Sequence, residues 1–180
     1  FFSISEALYN IDPSSSAAAN MGIRSLKRKD YEKAEVFYTY ALENEPDEIN
    51  KAQYAYRLAQ TYGAMNKNNS AKTYALKAAA FRSGWGEPYL LIGDLYAKTS
   101  RQCGALKTEF LKRVGYWAAI DKYEFAKRID PQLSAKANER IEKYTEQMPS
   151  KTDIFTEGLI DELTYKIDCW YSEMVKIRVP

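Results

Sequence analysis

The chain has 180 residues, of which 46% are hydrophobic and 28% are charged, so it is long enough for a substantial core and shows no bias toward disorder. Lys and Arg number 26 against 24 Asp and Glu, a balance that excludes a strong general attraction to nucleic acid or anionic lipid. There is no histidine, which excludes catalytic triads built on that residue. No stretch approaches the roughly 18 apolar residues needed to cross a bilayer. We therefore expect a non-enzymatic protein with no metal, no cofactor and no membrane span.

The first segment, FFSISEALYNIDP, is predicted to be a helix that ends at Pro13. It is typical of the closing helix of an earlier repeat, and we expect an upstream part of the protein to be missing from this chain. Further helix boundaries are predicted where proline or a capping residue stands near a first turn, at Asp12 to Ser15, Pro46-Asp47, Glu87-Pro88 and Asp130-Pro131.

Two segments share one spacing of small and aromatic residues. AEVFYTYALENEP runs from Ala34 to Pro46, and AIDKYEFAKRIDP runs from Ala119 to Pro131. Each has Ala, an aromatic residue four positions on, Ala three positions later and Pro five positions after that. This spacing resembles the second half of a tetratricopeptide repeat, a helix hairpin of 34 residues that buries its apolar faces by stacking on its neighbours.

The first half of such a repeat carries a small residue where its two helices approach closely, and Gly22, Ala59 and Gly93 occupy that position. The small residue of the second helix follows twelve positions later in the first two repeats. In the third repeat the offset from Gly93 to Ala119 is 26 positions, which indicates an insertion at about residues 100–113. We expect elongated or interrupted helices there, with Gly104 and Gly115 as breakpoints.

After Pro131 the apolar residues Leu133, Ala137, Ile141 and Tyr144 share one helical face, which predicts a capping helix. The predicted fold class is therefore mainly α: a tetratricopeptide-like superhelix of about three hairpins plus the capping helix. We assign residues 1–148 to this solenoid and residues 149–180 to a C-terminal extension.

The extension changes from helical spacing to alternation. Apolar residues alternate with polar ones from Leu163 to Cys169 and again from Val175 to Val179, which predicts two β-strands. Trp170 to Glu173 are predicted to connect them. An isolated hairpin is marginally stable in water, so we expect this one to pack on the solenoid.

A closer resemblance rests on YLLIGDLYAKTSRQCG, YWAAIDKYEFAKRIDP and the ending from MPSKTDIF to YKIDCWYSEMVKIR. These segments resemble the C-terminal region of tetratricopeptide proteins of Bacteroidetes, a family of unassigned biochemical role. The matching residues are Trp117, Ala118, Ala119, Cys169, Trp170 and Arg178. Because such proteins are commonly exported, the resemblance implies a periplasmic or cell-envelope location. Glu162-Leu163 departs from the small polar residues usual before the hairpin.

The two cysteines, Cys103 and Cys169, are too few for a disulfide framework and lack the spacing of a zinc site. Two separate buried thiols are one interpretation. The export that the resemblance implies would place both in an oxidising compartment, and on that ground we predict a disulfide between them.

The resemblance also implies a concave surface formed by the first helix of each hairpin. The partner-binding residues predicted on it are Ile23, Lys27, Gln53, Tyr56, Gln60, Leu90, Asp94 and Lys98. The positions at which chaperone-binding relatives grip a terminal carboxylate hold Ala19, Ile23 and Arg57, so that clamp is not present as a set. We expect an extended peptide or a helix of a partner protein in the groove, and no nucleic acid.

A different function remains open for the C-terminal part. Trp170 on the hairpin and the insertion at residues 100–113 could form a small ligand-binding or envelope-anchoring module that the repeats merely support. The sequence predicts neither the identity of the partner nor the oligomeric state.

Overall fold

A computed structural model describes residue 11 and residues 13–103, 108–160 and 163–180. The chain is mainly helical, with a small antiparallel β-hairpin near its C-terminus. It divides into two compact units, Phe1–Gly84 and Trp85–Pro180. The predictions for the segment before Ile11 and for Gly104 lie outside the described residues.

Four helices form the described part of the first unit: α1 Ser15–Lys27, α2 Tyr31–Glu43, α3 Glu48–Ala64 and α4 Asn68–Phe81. The second unit contains α5 Glu87–Cys103, α6 Gly115–Ile129, a 3-10 turn Pro131–Leu133, α7 Ser134–Thr145, α8 Lys151–Thr156, β1 Thr164–Asp168 and β2 Ser172–Lys176. Within the described residues no helix combines the length and the apolarity needed to cross a bilayer.

Short polar side chains cap the starts of α1 and α3 in the first unit. Ser14 accepts a hydrogen bond from the amide of Ala17 at the start of α1, and Asp47 accepts one from the amide of Asn50 at the start of α3. Each bond satisfies an amide that the helix itself leaves without a partner. The helix starts predicted near these two residues are confirmed.

The core of the first unit is built largely from alanine, which lets neighbouring helices approach closely. Helix α1 packs on α2, α2 on α3 and α3 on α4. Fully buried alanines lie on all four helices, at positions 18, 34, 41, 52, 55, 59, 71, 75 and 78. The small residues predicted at Ala34, Ala59 and Ala71 therefore lie at helix contacts.

In the second unit α6 packs against α5 and α7, and it also contacts β2. The predicted interruption is present, because α5 ends at Cys103 and α6 begins at Gly115. A β-carbon at Gly115 would lie 2.7 Å from the Ser100 hydroxyl oxygen, so the absence of a side chain lets α6 begin directly against α5.

The two strands pair in antiparallel register, with Tyr165 opposite Val175 and Ile167 opposite Glu173. The second strand begins at Ser172, so the prediction that Trp170 to Glu173 form the connection is wrong at its C-terminal end. The start of the strand was missed because Glu173 is a polar residue on the inward side. Its carboxylate accepts hydrogen bonds from the Tyr96 hydroxyl at 2.6 Å and from Lys122 at 3.2 Å.

The predicted C-terminal extension, residues 149–180, belongs to the second unit. Its hairpin contacts α6, and the indole N–H of Trp117 donates to the backbone carbonyl of Arg178 at 2.9 Å. The Arg178 guanidinium in turn pairs with Asp121 on α6. These bonds hold the chain that follows β2 against the helix.

Candidate functional site

A cleft of about 220 Å³ lies in the first unit, where three of its helices contribute side chains. Helix α1 provides Ile23, Leu26 and Lys27, α2 provides Tyr38, and α3 provides Arg57. Two of the predicted partner-binding residues, Ile23 and Lys27, are therefore brought together with three side chains that the sequence did not predict to bind. The described lining carries two cations and no acidic side chain.

Tyr38 enters this cleft because Gly22 leaves room for its ring. A β-carbon built at Gly22 would lie 2.8 Å from two ring carbons of Tyr38, closer than a side chain can approach. The tyrosine itself is only 1% exposed. The glycine at the small position of α1 therefore contacts the aromatic residue of α2; the repeat spacing predicts these two positions, and the structure pairs them.

The hydroxyl of Tyr38 is buried and has no hydrogen-bond partner among the described residues. Burial raises the pKa of Tyr38 to about 12, and the positive charge of Arg57 acts in the opposite direction. The hydroxyl therefore keeps its proton at neutral pH and lies within electrostatic range of Arg57. A buried hydroxyl without a partner carries a free-energy cost that an added acceptor would remove.

The remaining predicted residues of the first unit lie on α3. Gln53, Tyr56 and Gln60 are half-buried, and none of them lines the cleft directly. Gln60 acts on it through its neighbour, because its side-chain oxygen accepts a hydrogen bond from Arg57 Nη1 at 3.0 Å. This bond orients the guanidinium at the edge of the cleft.

The predicted partner-binding residues of the second unit differ in how far they are exposed to solvent. Leu90 is 2% exposed, so its side chain is part of the core and is not on a surface that a partner could reach. The sequence predicts that this apolar side chain faces the groove, but it packs in the core, where leucine side chains are most often found. Lys98 is exposed on α5.

Asp94 is already occupied by side chains of its own unit. Its carboxylate accepts a hydrogen bond from the Tyr123 hydroxyl at 3.0 Å and two from Arg140, at 2.8 Å from Nε and 3.3 Å from Nη2. The hydrogen bond to Asp94 raises the pKa of Arg140. Burial, followed by the Asp94 charge and its hydrogen bond, raises the pKa of Tyr123. Sequence reasoning missed Arg140, which lies 46 residues from Asp94.

The hairpin residues are held in place by packing and by a covalent bond. The structure joins Cys103, at the end of α5, to Cys169 by a disulfide with 5.5 Å between the two Cα atoms. The indole N–H of Trp170 donates to Thr99 Oγ1 at 2.9 Å, and its ring lies against those of Tyr96 and Tyr171. Trp170 is therefore a packing residue of the second unit.

The second unit contains several cavities, two of which lie beside α6 or β1. One of about 90 Å³ lies between the α5–α6 connection and β1, and its lining includes Cys103, Val114 and Tyr165. Another of about 460 Å³ is lined by Tyr89, Asp121, Lys122, Glu124, Phe125 and Arg128. In the larger cavity Asp121 pairs with Arg178 and Lys122 with Glu173, so much of its charge is used within the unit.

Among the residues that the structure describes, no group of three or more cysteine and carboxylate side chains is placed to hold a metal ion. No protein-family model matches the chain, and no curated protein is significantly similar to it in sequence.

Proposed function

We propose that this protein is a non-enzymatic interaction scaffold of the tetratricopeptide kind, which binds a peptide segment of a partner protein. The observation that carries this proposal is the cleft of the first unit. Residues predicted to face a partner, Ile23 and Lys27, line it beside a buried tyrosine hydroxyl that has no partner of its own. A mixed apolar and polar cleft on a rigid helical support is suited to peptide recognition.

Support for the tetratricopeptide architecture comes from a contact that recurs in both units. Gly22 faces the ring of Tyr38, and Gly93 faces the ring of Tyr123, in each case with the glycine on one helix and the tyrosine on the next. These are the small and aromatic positions that the repeat spacing specifies. We propose that the helix pairs are repeats of this type and that α7 caps them.

A location in the periplasm or cell envelope is part of the proposal. The disulfide between Cys103 and Cys169 supports it, because such bonds persist in oxidising compartments and are rare where thiols are kept reduced. Protein purified from the envelope fraction without reductant should resist alkylation at both cysteines. Free thiols in that material would contradict this part of the proposal.

The alternative function, a ligand-binding or anchoring module in the hairpin and the insertion, has less support. The cavity at that place is about 90 Å³, well below the roughly 300–1,000 Å³ of typical ligand pockets. Trp170, its leading candidate residue, is engaged in packing. This module is the second candidate function.

The test is selection of binders to the full chain from a displayed library of random peptides. Ile23→Asp changes the cleft, whereas Val36→Asp introduces the same charge at a position on α2 that is 66% exposed and outside the cleft lining. Met174→Asp changes the outer face of the hairpin, where that side chain is 61% exposed. We expect selected peptides to bind at least tenfold more weakly to Ile23→Asp and unchanged to the other two variants.

Failure to select any peptide would contradict the scaffold proposal. Equal loss of binding in Ile23→Asp and Val36→Asp would also contradict it, because the effect would then be one of general charge. Loss confined to Met174→Asp would move the binding site to the hairpin and favour the second candidate.

A further inference from the structure

The second unit contains a carboxylate site that is filled from within. Tyr123 is held against Gly93, and its hydroxyl donates to Asp94, the residue that follows this glycine. The same carboxylate accepts hydrogen bonds from Arg140 on α7. One carboxylate thus satisfies a buried tyrosine hydroxyl and neutralises an arginine at the same time.

The first unit repeats this arrangement without the carboxylate. Tyr38 is held against Gly22, but the residue that follows this glycine is Ile23, whose side chain has no hydrogen-bond acceptor. The Tyr38 hydroxyl is left without a partner, and the Arg57 guanidinium acts on it electrostatically. The two donors to Asp94, Tyr123 and Arg140, correspond to Tyr38 and Arg57 in the first unit. No side chain of the first unit's cleft lining corresponds to the Asp94 carboxylate.

We propose that the cleft of the first unit binds a carboxylate group of a peptide ligand, which accepts hydrogen bonds from the Tyr38 hydroxyl and the Arg57 guanidinium. This inference rests on the proposed function and specifies the chemistry of the partner. Lys27, on the lining of the same cleft, adds a second positive charge. Ile23 and Leu26 provide the apolar wall against which the carbon atoms next to the carboxylate pack.

Three properties of the cleft favour an acidic ligand over a neutral one. Its described lining is cationic and contains no acidic side chain. The Tyr38 hydroxyl is protonated at neutral pH, as tyrosine hydroxyls ordinarily are, and has no acceptor among the described residues. Hydrogen bonds to a charged acceptor are about twice as strong as those between neutral groups. Ile23 and Arg57 also occupy clamp positions of chaperone-binding tetratricopeptide proteins, whereas Tyr38 comes from the second helix of the hairpin and is not one of those positions.

The experiment uses the full chain and four pools of fluorescent eight-residue peptides built from Leu, Ala and Ser around one central variable residue. The first pool has a central Glu and an amidated C-terminus, and the second has Gln in its place. The third keeps Gln but ends in a free carboxylate, so it distinguishes a chain terminus from an acidic side chain. The fourth has phosphoserine at the centre.

We expect the pool with Glu or the pool with the free terminus to bind at least tenfold more tightly than the amidated Gln pool. Tyr38→Phe, which removes only the hydroxyl, should weaken that binding by three- to tenfold. Arg57→Gln should weaken it by tenfold or more. Lys33→Gln is the matched control, because Lys33 is an exposed cation on α2 outside the cleft lining, and it should change binding less than twofold.

Equal binding of the acidic and neutral pools would overturn the carboxylate inference, and so would a tenfold preference for phosphoserine over Glu. An equal effect of Lys33→Gln and Arg57→Gln would overturn it as well, since it would show a general attraction between charges. If none of the pools binds but library-selected peptides still depend on Ile23, the inference fails and the scaffold proposal stands. If neither pools nor library yield a binder, both fail.

Discussion

Gly22 with Tyr38 in the first unit and Gly93 with Tyr123 in the second are the same packing contact with different polar surroundings. In each pair the glycine has no side chain to obstruct the ring, and the tyrosine is almost fully buried. The Tyr123 hydroxyl donates to Asp94, whereas the Tyr38 hydroxyl has no partner among the described residues.

The difference shows that a helix hairpin can bury a tyrosine ring without providing a hydrogen-bond acceptor for its hydroxyl. Burying the ring requires only a small residue on the facing helix, which both units supply. Satisfying the hydroxyl requires an acceptor at one particular place, which Asp94 supplies in the second unit and Ile23 cannot supply in the first. Polar groups left unsatisfied in this way are costly and are candidates for ligand contact.

The second unit also differs by its covalent bond, whose removal should have the largest effect. Cys103 and Cys169 are separated by 66 positions in the sequence, and in the chain-entropy model a loop of that size stabilises by about 4 kcal/mol. We expect Cys103→Ser combined with Cys169→Ser to lower the unfolding free energy of the second unit by about 2–4 kcal/mol. All three tryptophans lie in that unit, so tryptophan fluorescence during urea unfolding measures it selectively.

Reductant provides the control for this experiment. It should lower the urea midpoint of the wild-type protein and leave that of the double serine variant unchanged. A wild-type midpoint that does not respond to reductant would show that the bond does not stabilise the unit.

The glycine contact can be broken directly. Alanine at an open helix position stabilises by about 1 kcal/mol relative to glycine, but Gly22→Ala places a β-carbon against the buried ring of Tyr38. We expect a net loss of about 1–3 kcal/mol in unfolding free energy, measured by urea unfolding followed by circular dichroism. In the background of Tyr38→Leu the same substitution should cost less, because the ring is gone. Additive effects would contradict the contact.

Replacing each of the two tyrosines by phenylalanine compares how much its hydroxyl contributes to the stability of the protein. Tyr123→Phe deletes the hydrogen bond to Asp94 and should lower stability by about 1–2 kcal/mol. Tyr38→Phe deletes a hydroxyl that has no partner, so stability should be unchanged or higher by about 1 kcal/mol. The measurement is the urea midpoint of each variant, and equal losses would mean that the two hydroxyls are equally satisfied.

The smallest expected effect is a dependence of stability on pH in the first unit. It concerns Glu45, a buried residue whose carboxylate does have hydrogen-bond partners. It accepts hydrogen bonds from the Ser15 hydroxyl at 2.8 Å and from the Asp47 amide at 3.2 Å. These bonds, the one from Ser15 above all, lower the pKa of Glu45. A lowered pKa stabilises the fold above the ordinary value of 4.5, and this stabilisation is lost as pH falls through the folded-state pKa.

We therefore expect Glu45→Gln to lower the urea midpoint at pH 7 and to lower it less as the pH falls toward 3. Glu43→Gln is the control, since Glu43 is an exposed carboxylate at the end of α2, close in sequence to Glu45. A difference between Glu45→Gln and wild type that is the same at both pH values would contradict a role for the ionised carboxylate.

Local sequence signals predicted much of the helical framework and only part of the hairpin. Helix starts near Ser14 and Asp47 were predictable because a capping side chain acts within three residues of its own position. The beginning of β2 was not, because Glu173 faces inward as a polar residue. Its reason for doing so lies in Tyr96 and Lys122, which are distant in sequence.

For the candidate site, the sequence by itself determined the small positions Gly22 and Gly93 and the aromatic positions Tyr38 and Tyr123, because these residues fit the spacing of a helix-hairpin repeat. Only the tertiary structure decided how the polar ends of these side chains are used. Asp94 is bound by Arg140, 46 residues away, while the Tyr38 hydroxyl remains without an acceptor beside Arg57. The physical reason is that periodic spacing within a helix marks the side chains that face a neighbouring helix, whereas the partner of each polar group depends on which atoms the fold brings together from separate helices.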